Sequence, residues 1–460
     1  MLRGRDLATV RDQLGREPTV PFTVVARCAP GHPLVIGNAT RDADGTPFPT
    51  TFWLTCPDAV RAVARLESAG GIRESNERYE ADPVFRAAVD AAHAEAAAER
   101  DRLEPGAGGW GGVAGTRRGV KCLHAHYANH LAGGDDVIGR WVARQVEPIH
   151  PDAPDRPVAA AIDQGTNSTR LLVLAAGDPP VELARDLVIT RLGQGVDASG
   201  RLHEDALARV DATITRYARR ARALGASRIV VGATSAVRDA ANRDAFVDLV
   251  ARATGAPATI IDGEREAALS FAGAVGALDL EPGPVVVMDI GGGSTEFVVG
   301  DVAGRVTDAV SVQLGSVRMT ERHLHDDPPT AMQLAELRDA VAAVLATVRV
   351  PVADARTFVA VAGTAVTVQA LALGLDRDDP DVIHGSSLTV DDAAAVADRL
   401  ARMPRAARDA LPAMPPGRGE VIVAGAVILH EAMRRWGRDR ALIAETDILD
   451  GLGFEALGVR

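Results

Sequence analysis

The sequence predicts a duplicated, two-lobed α/β fold preceded by a small α+β domain, and three observations carry that reading. Ala161–Val173 (AIDQGTNSTRLLV) and Val287–Val299 (VMDIGGGSTEFVV) repeat one pattern: an aspartate closing a buried strand, a glycine turn with Ser or Thr, then a second apolar strand. Around both copies, apolar runs of strand length alternate with helical periodicity. Glu147–Pro157 (EPIHPDAPDRP) carries proline at 148, 151, 154 and 157, a spacing that favours an extended, semi-rigid connector. The expected organisation is an N-terminal domain at 1–146, a linker at 147–157, a first lobe at 158–282 and a second lobe at 283–460.

The N-terminal region opens with a helix expected at Arg5–Leu14, then short strands at Phe22–Ala26, Leu34–Ile36 and Thr50–Leu54. Asp58–Ala69 and Pro83–Leu103 read as helices, the second with proline at its first position, where the missing N–H costs nothing. A glycine-rich loop at Pro105–Gly119 leads to a mostly helical stretch, Lys121–Val146, broken near Gly133 and Gly134. Beyond the linker, strands at Val158–Ile162 and Leu171–Leu174 flank the first turn, and helices are expected at Glu204–Leu224, Arg238–Thr254 and Glu264–Ala277. Strands at Val285–Met288 and Glu296–Val299 flank the second turn. Helices at Met332–Val348, Val390–Arg402 and Glu420–Trp436 follow, with strands at Phe358–Val361 and Ala441–Ile443 between them.

A chain of 460 residues exceeds one ordinary core, and 47% hydrophobic with 24% charged residues marks it as globular. Aromatic residues are only 3%, so the cores must be built from Ala, Val, Leu and Ile. The net charge is −12, Lys121 is the single lysine, and no basic run exists; binding of DNA or RNA is excluded on that ground. Asp6 and Arg11 interrupt any signal-like apolar run, and no stretch reaches membrane-spanning length. Cys28, Cys56 and Cys122 are too few and too scattered for a disulfide framework. The expectation is a soluble cytoplasmic protein with no membrane partner; a homodimer is compatible with it.

The repeated motif fits a phosphate site. Its glycines let the backbone approach closely, so that N–H groups can point at oxygens. The candidate donors are Gly165, Thr166, Asn167 and Ser168 in the first turn, and Gly291, Gly292, Gly293, Ser294 and Thr295 in the second. Asp163 and Asp289 would repel a phosphate directly, and are suited to hold a divalent cation, Mg²⁺ or another such as Mn²⁺, that bridges to it. Glu296, just past the second turn, is a further candidate for the metal shell. The plain alternative is two hairpins with glycine turns.

This duplicated motif resembles the actin-like ATPase (ribonuclease H-like) superfamily. Further segments resemble the exopolyphosphatase/guanosine pentaphosphatase (Ppx/GppA) family within it: Ala233–Phe246 (ATSAVRDAANRDAF), Ile260–Ala274 (IIDGEREAALSFAGA), Arg191–Leu202, Gln313–Glu321, Val361–Leu371, Val382–Thr389 and Ala444–Glu455 (AETDILDGLGFE). The resemblance spans about 300 residues in order. It implies hydrolysis of the terminal phosphoanhydride of inorganic polyphosphate or of guanosine pentaphosphate, with one site able to serve both. Glu266 matches the family's catalytic glutamate, which would orient or deprotonate the attacking water, and Arg238 would pair with phosphate oxygens. Arg170 is either a second phosphate ligand or structural. Two departures stand out. Arg265 occupies a place where the family carries a carboxylate, which keeps Glu264 as an alternative to Glu266. Arg418-Gly419-Glu420 stands where the family reads Arg-Ala-Asp. The resemblance also implies the short, two-lobed form, without the family's extra helical domain. Two other readings are kept: an actin-like kinase or ATPase, and a weakly catalytic regulator that binds polyphosphate or an alarmone.

In the N-terminal region, three stretches, Met1–Pro18, Val25–Asn38 and Phe52–Glu67, resemble a bacterial family of unknown function, implying a domain fusion. Cys122, His124, His126 and His130, or Cys28 with His32, could suggest a metal. On a helix Cys122, His124 and His126 would not converge, whereas His126 and His130 would. A packed, hydrogen-bonded polar cluster is the competing reading.

Overall fold

The computed structural model describes residues 4–104, 106–377 and 379–458. Met1, Pro105 and Arg460, which bound the expected N-terminal domain, glycine-rich loop and second lobe, lie outside the described residues. The chain forms two compact units. One comprises Met1–Ala160, Leu172–Asp186 and Thr215–Ile229; the other comprises Ala161–Leu171, Leu187–Ile214 and Val230–Arg460.

The first unit contains strands β1 (Phe22–Arg27), β2 (Pro33–Asn38) and β3 (Phe52–Leu54), paired antiparallel in that order. Val25, Ala26, Val35 and Leu54 from this sheet pack with Val63, Val89, Tyr127, Leu131, Ile138 and Val142 from the helices. Helix Pro83–Leu103 starts where the sequence places it, with Asp82 accepting from the amides of Val84 and Phe85. The expected break near Gly133 and Gly134 separates Leu123–Leu131 from Val137–Val146, and Asp136 caps the second helix through the Gly139 amide. Helix Gly71–Ala81 was not legible, because its sequence GIRESNERYEA carries almost no apolar periodicity. Buried Arg220 donates to Asp186 at 2.8 Å and to the carbonyl of Val25.

The linker departs from an extended rod. Ala153 N–H donates to the His150 carbonyl in a turn, and the Tyr127 hydroxyl holds Glu147 at 2.8 Å. Proline spacing sets local φ angles, but these side chains decide where the segment lies.

The remaining strands are β4 (Val158–Gln164), β5 (Ser168–Ala175), β6 (Val181–Ile189), β7 (Arg228–Ala233), β8 (Ala258–Ile260), β9 (Pro284–Ile290), β10 (Thr295–Asp301), β11 (Val306–Val312), β12 (Thr357–Val361), β13 (Ser387–Thr389) and β14 (Arg440–Ile443). They form two sheets, β6-β5-β4-β7-β8 and β11-β10-β9-β12-β14-β13. With β13, at the edge of the second sheet, left out of the count, each reads third, second, first, fourth, fifth. The repeated order is the duplicated actin-like, ribonuclease H-like architecture. Strand β9 is a buried run of Val and Met between an antiparallel and a parallel neighbour, the pattern of a strand covered on both faces. Helices Ala362–Ala372 and Ile422–Arg435 cover the second sheet with Ala365, Val368, Val423, Val427 and Ile428.

The expected helix Arg238–Thr254 is two pieces, Ser235–Asp239 and Asp244–Thr254. Asn242 makes the break, exchanging hydrogen bonds with the backbone of Leu202 through its side-chain amide.

Candidate active site

Both glycine turns close in the same way. Gly165 N–H donates to the Ser168 carbonyl at 2.9 Å, and Gly291 N–H to the Ser294 carbonyl at 3.0 Å. Each turn also latches a later segment: the Asn167 carbonyl accepts from Thr190 and Arg191, and the Gly292 carbonyl from Val317 and Arg318 at the start of helix Ser316–His323. These bonds occupy the Gly165 and Gly291 amides, and Thr295 donates its hydroxyl to the Leu314 carbonyl. Among the described residues, the N–H groups of Thr166, Asn167, Gly292 and Gly293 have no backbone partner. A Cβ on Gly292 would sit 2.8 Å from Thr166 Cβ, and one on Gly293 would sit 2.4 Å from Ser235 Oγ. The absence of side chains at these two positions is what brings the two turns and Ser235 together. Ser235 Oγ is buried and, among the described residues, unpartnered. A buried hydroxyl with no partner is costly; here it lines the cradle with Thr166, as an anion ligand would require. Ser235 lies inside a segment singled out from the sequence but was not itself read as a ligand.

Beside the cradle lies a buried carboxylate cluster. Asp289 on β9 and Glu296 on β10 are register partners. Ser311, the next partner across on β11, donates to Glu296 Oε1 at 2.6 Å, and Ser294 also donates to Glu296. Ser270, on helix Gly263–Val275, donates to Asp289 Oδ2 at 2.5 Å. The same helix carries Glu266 inward, where Arg238 donates to its Oε2 at 2.9 Å and to the Ile261 carbonyl at 2.7 Å. Glu266 is 8% exposed, whereas Glu264 is exposed and Arg265 pairs outward with Glu455. Geometry therefore separates two glutamates that the sequence left as alternatives.

Arg170 bridges two carboxylates. Its Nε and Nη2 donate to Asp163 Oδ2 at 2.9 and 2.7 Å, and its Nη1 donates to Asp447. That arrangement makes it an organiser of the cluster rather than a free phosphate ligand. Asp447 was missed as a site residue, although it sits in the quoted segment AETDILDGLGFE. Its local role is to cap helix Ile448–Leu457, and only tertiary structure brings it to Arg170. Glu420 lies apart from the cluster, paired with Arg191 and Arg405.

The electrostatics follow from burial and crowding. Desolvation, then the charge of Glu296, pushes the Asp289 carboxyl up to about 8. Desolvation with repulsion from Glu296 and Asp289 holds Glu266 well above the usual carboxylate range, and desolvation raises Glu296 and Asp163 as well. Five carboxylates (Asp163, Glu266, Asp289, Glu296, Asp447) face two guanidiniums (Arg170, Arg238). Asp163 Oδ1 is buried and, among the described residues, unpartnered. An all-oxygen, over-negative cluster with an orphaned carboxylate oxygen fits a hard divalent cation. Asp163, Asp289 and Glu296 do not close on one another as a preformed three-ligand cage among the described residues. That suits an ion held by one or two carboxylates and completed by waters and phosphate oxygens.

A family model described as the Ppx/GppA phosphatase family matches residues 175–457, and one described as a protein of unknown function (DUF501) matches residues 24–144. The chain is 43% identical over 316 residues to Exopolyphosphatase 2 of Mycobacterium tuberculosis, covering 65% of this chain and 98% of that protein. It is 30% identical over 296 residues to Exopolyphosphatase 1 of Mycobacterium bovis, covering 63% and 86%. The crystal structure of an exopolyphosphatase-like protein matches at 37% identity with a TM-score of 0.61, over 64% of this chain and 97% of that one. The Aquifex aeolicus member of the Ppx/GppA family matches at 28% identity and a TM-score of 0.57, over 66% and 99%. With its motifs, its duplicated sheets and these matches in agreement, the chain belongs to the Ppx/GppA phosphatase family, joined to an N-terminal DUF501 domain.

Proposed function

We propose that this protein is an exopolyphosphatase, which hydrolyses the terminal phosphoanhydride of inorganic polyphosphate and releases orthophosphate in the cytoplasm. The observation that carries the proposal is Glu266: a buried carboxylate held by Arg238, next to the carboxylate cluster and the Thr166–Gly292–Gly293–Ser235 cradle. The cradle's free N–H groups and hydroxyls bind the terminal phosphoryl oxygens. Glu266, with its proton affinity raised by burial, accepts a proton from the attacking water. Arg238 fixes the Glu266 carboxylate and contributes positive charge where the phosphoryl group develops negative charge. Asp163, Asp289 and Glu296 would hold Mg²⁺ or a similar cation, which supplies charge neutralisation for the polyanion. The names of the mycobacterial relatives support polyphosphate as the substrate.

Guanosine pentaphosphate is the second reading, because a cradle that grips a terminal phosphoryl group through its own oxygens does not depend on what lies further along the chain. Orthophosphate release from polyphosphates of defined length and from guanosine pentaphosphate, side by side with Mg²⁺, tests the assignment. Higher kcat/KM on polyphosphate supports the proposal; release from guanosine pentaphosphate alone replaces it with the second reading. No turnover on either, with tight binding of one, would indicate a regulator.

A further inference from the structure

Cys28 follows β1 and is 4% exposed; Cys56 immediately precedes helix Pro57–Ser68 and is 3% exposed. His150, from the proline-rich linker, places Nε2 3.5 Å from Cys56 Sγ. One ligand atom from each of the three, two thiol sulfurs and an imidazole nitrogen, lies within 4.8 Å of the others. A tetrahedral Zn²⁺ with Zn–S of about 2.3 Å and Zn–N of about 2.0–2.1 Å would set sulfur and nitrogen about 3.6 Å apart, and two sulfurs about 3.8 Å apart. The Cys56–His150 pair, at 3.5 Å, already has that spacing, and Cys28 lies within 4.8 Å of both.

The surroundings fit a metal better than simple packing. Asp58 Oδ2 lies 3.4 Å from His150 Nδ1. A carboxylate there keeps the proton on Nδ1 and leaves the Nε2 lone pair facing the sulfurs, the usual support of a metal-bound histidine. The Cys56 side chain makes no capping hydrogen bond to its own helix, and its sulfur lies within 4.8 Å of the Cys28 sulfur and a His150 ring nitrogen. Both cysteines are free thiols.

We infer that Cys28, Cys56 and His150 form a Zn²⁺ site in the N-terminal domain, with Asp58 orienting the histidine and water completing the coordination. Soft sulfur with nitrogen selects Zn²⁺ over the hard cations suited to the carboxylate cluster. The site fastens three segments distant in sequence, and the linker is one of them. His32, the histidine nearest Cys28 in sequence, contributes only its carbonyl to the Cys28 amide and thiol. The other trio, Glu67, Cys122 and His124, is half-buried, and Glu67 Oε1 is already engaged by the Leu123 amide. His126 is turned to Asp136 at 2.8 Å.

The test is titration of Co²⁺ into the reduced, chelator-treated full-length protein, followed by sulfur-to-metal charge-transfer absorption. Carboxylate-bound Co²⁺ at the phosphohydrolase site gives no such band. Expected are one thiolate-bound Co²⁺ per chain, displacement by Zn²⁺, loss of the band in Cys56→Ser, and its retention in Cys122→Ser. Asp58→Asn should weaken binding by about 10–100-fold, and His150→Ala by at least as much. Should Cys56→Ser fail to fold, His150→Ala decides, since that ring is part-exposed at the surface. Absence of the band in the wild type, its persistence with unchanged affinity in His150→Ala, or a Cys28–Cys56 disulfide in protein isolated without oxidant would overturn the inference.

Discussion

Asp289 and Glu296 face each other across the β9–β10 ladder, two acids in register on a buried face. Like charges directly opposite destabilise a sheet, so this pair costs stability in the absence of a counter-charge. Asp289 is raised from 3.8 to about 8, chiefly by desolvation and then by Glu296. A raised carboxyl pKa favours the fold while the group is protonated, and that stability is lost as pH rises from the unfolded value through the folded one. This cluster should therefore make the cation-free protein progressively less stable between about pH 4 and pH 8. Mg²⁺ should recover most of the loss at pH 8, and Asp289→Asn should raise the cation-free Tm there. Each kcal/mol relieved corresponds to about 2–4 °C for domains of this size. Thermal unfolding across pH with chelator and with Mg²⁺ checks this; a chelator-treated wild type and Asp289→Asn with the same pH profile would contradict it.

Glu266→Gln should lower kcat by a factor on the order of 10²–10⁴ with little change in KM, the usual range for loss of a general base. Glu264→Gln, on the exposed side of the same helix start, should stay within a few-fold of wild type. The reverse outcome would move the base to Glu264.

Arg170→Met removes the only guanidinium bridging Asp163 and Asp447 among the described residues. Breaking one side of a buried ion pair costs about 3–5 kcal/mol. Chemical denaturation should show a loss of that order, reduced when Asp447→Asn is added, because one stranded charge is then removed. An unchanged denaturation midpoint in Arg170→Met would show that the bridge carries no such weight.

What the sequence revealed and what it concealed have physical reasons. The two Asp-turn-strand motifs were legible because buried central strands are uninterrupted apolar runs, as in β9. The third strand of each sheet was not. β6 (VELARDLVI) is mostly half-buried, and β11 (VTDAVSV) is exposed over its first half, so polar residues interrupt both. Asp163, Asp289, Glu296, Glu266 and Arg238 could be named as candidates from local motifs. The partners that organise them, Asp447, Ser270 and Ser311, could not, since each reaches the cluster through tertiary contacts. Cys56 and His150 meet for the same reason, across 94 residues.

A chain shortened to begin near Asp155 tests whether the catalytic region folds without the N-terminal domain. Shortening removes the Val25 carbonyl that accepts from Arg220 and the N-terminal core against which Ala223, at the end of the same helix, and Leu224 pack, so buried apolar surface is returned to water. The shortened chain should keep phosphatase activity at room temperature and unfold at a lower temperature. Insolubility, or complete loss of activity in a folded product, would show that the two parts are one folding unit.

Glu266 is proposed to direct water onto the terminal phosphoryl group. Short polyphosphate incubated with the protein and Mg²⁺ in oxygen-18 water measures this directly by mass spectrometry of the released orthophosphate. Expected is one oxygen-18 in each orthophosphate released from a chain end, formed at a rate that collapses in Glu266→Gln. Orthophosphate without label, or labelled release at an undiminished rate in that variant, would contradict it.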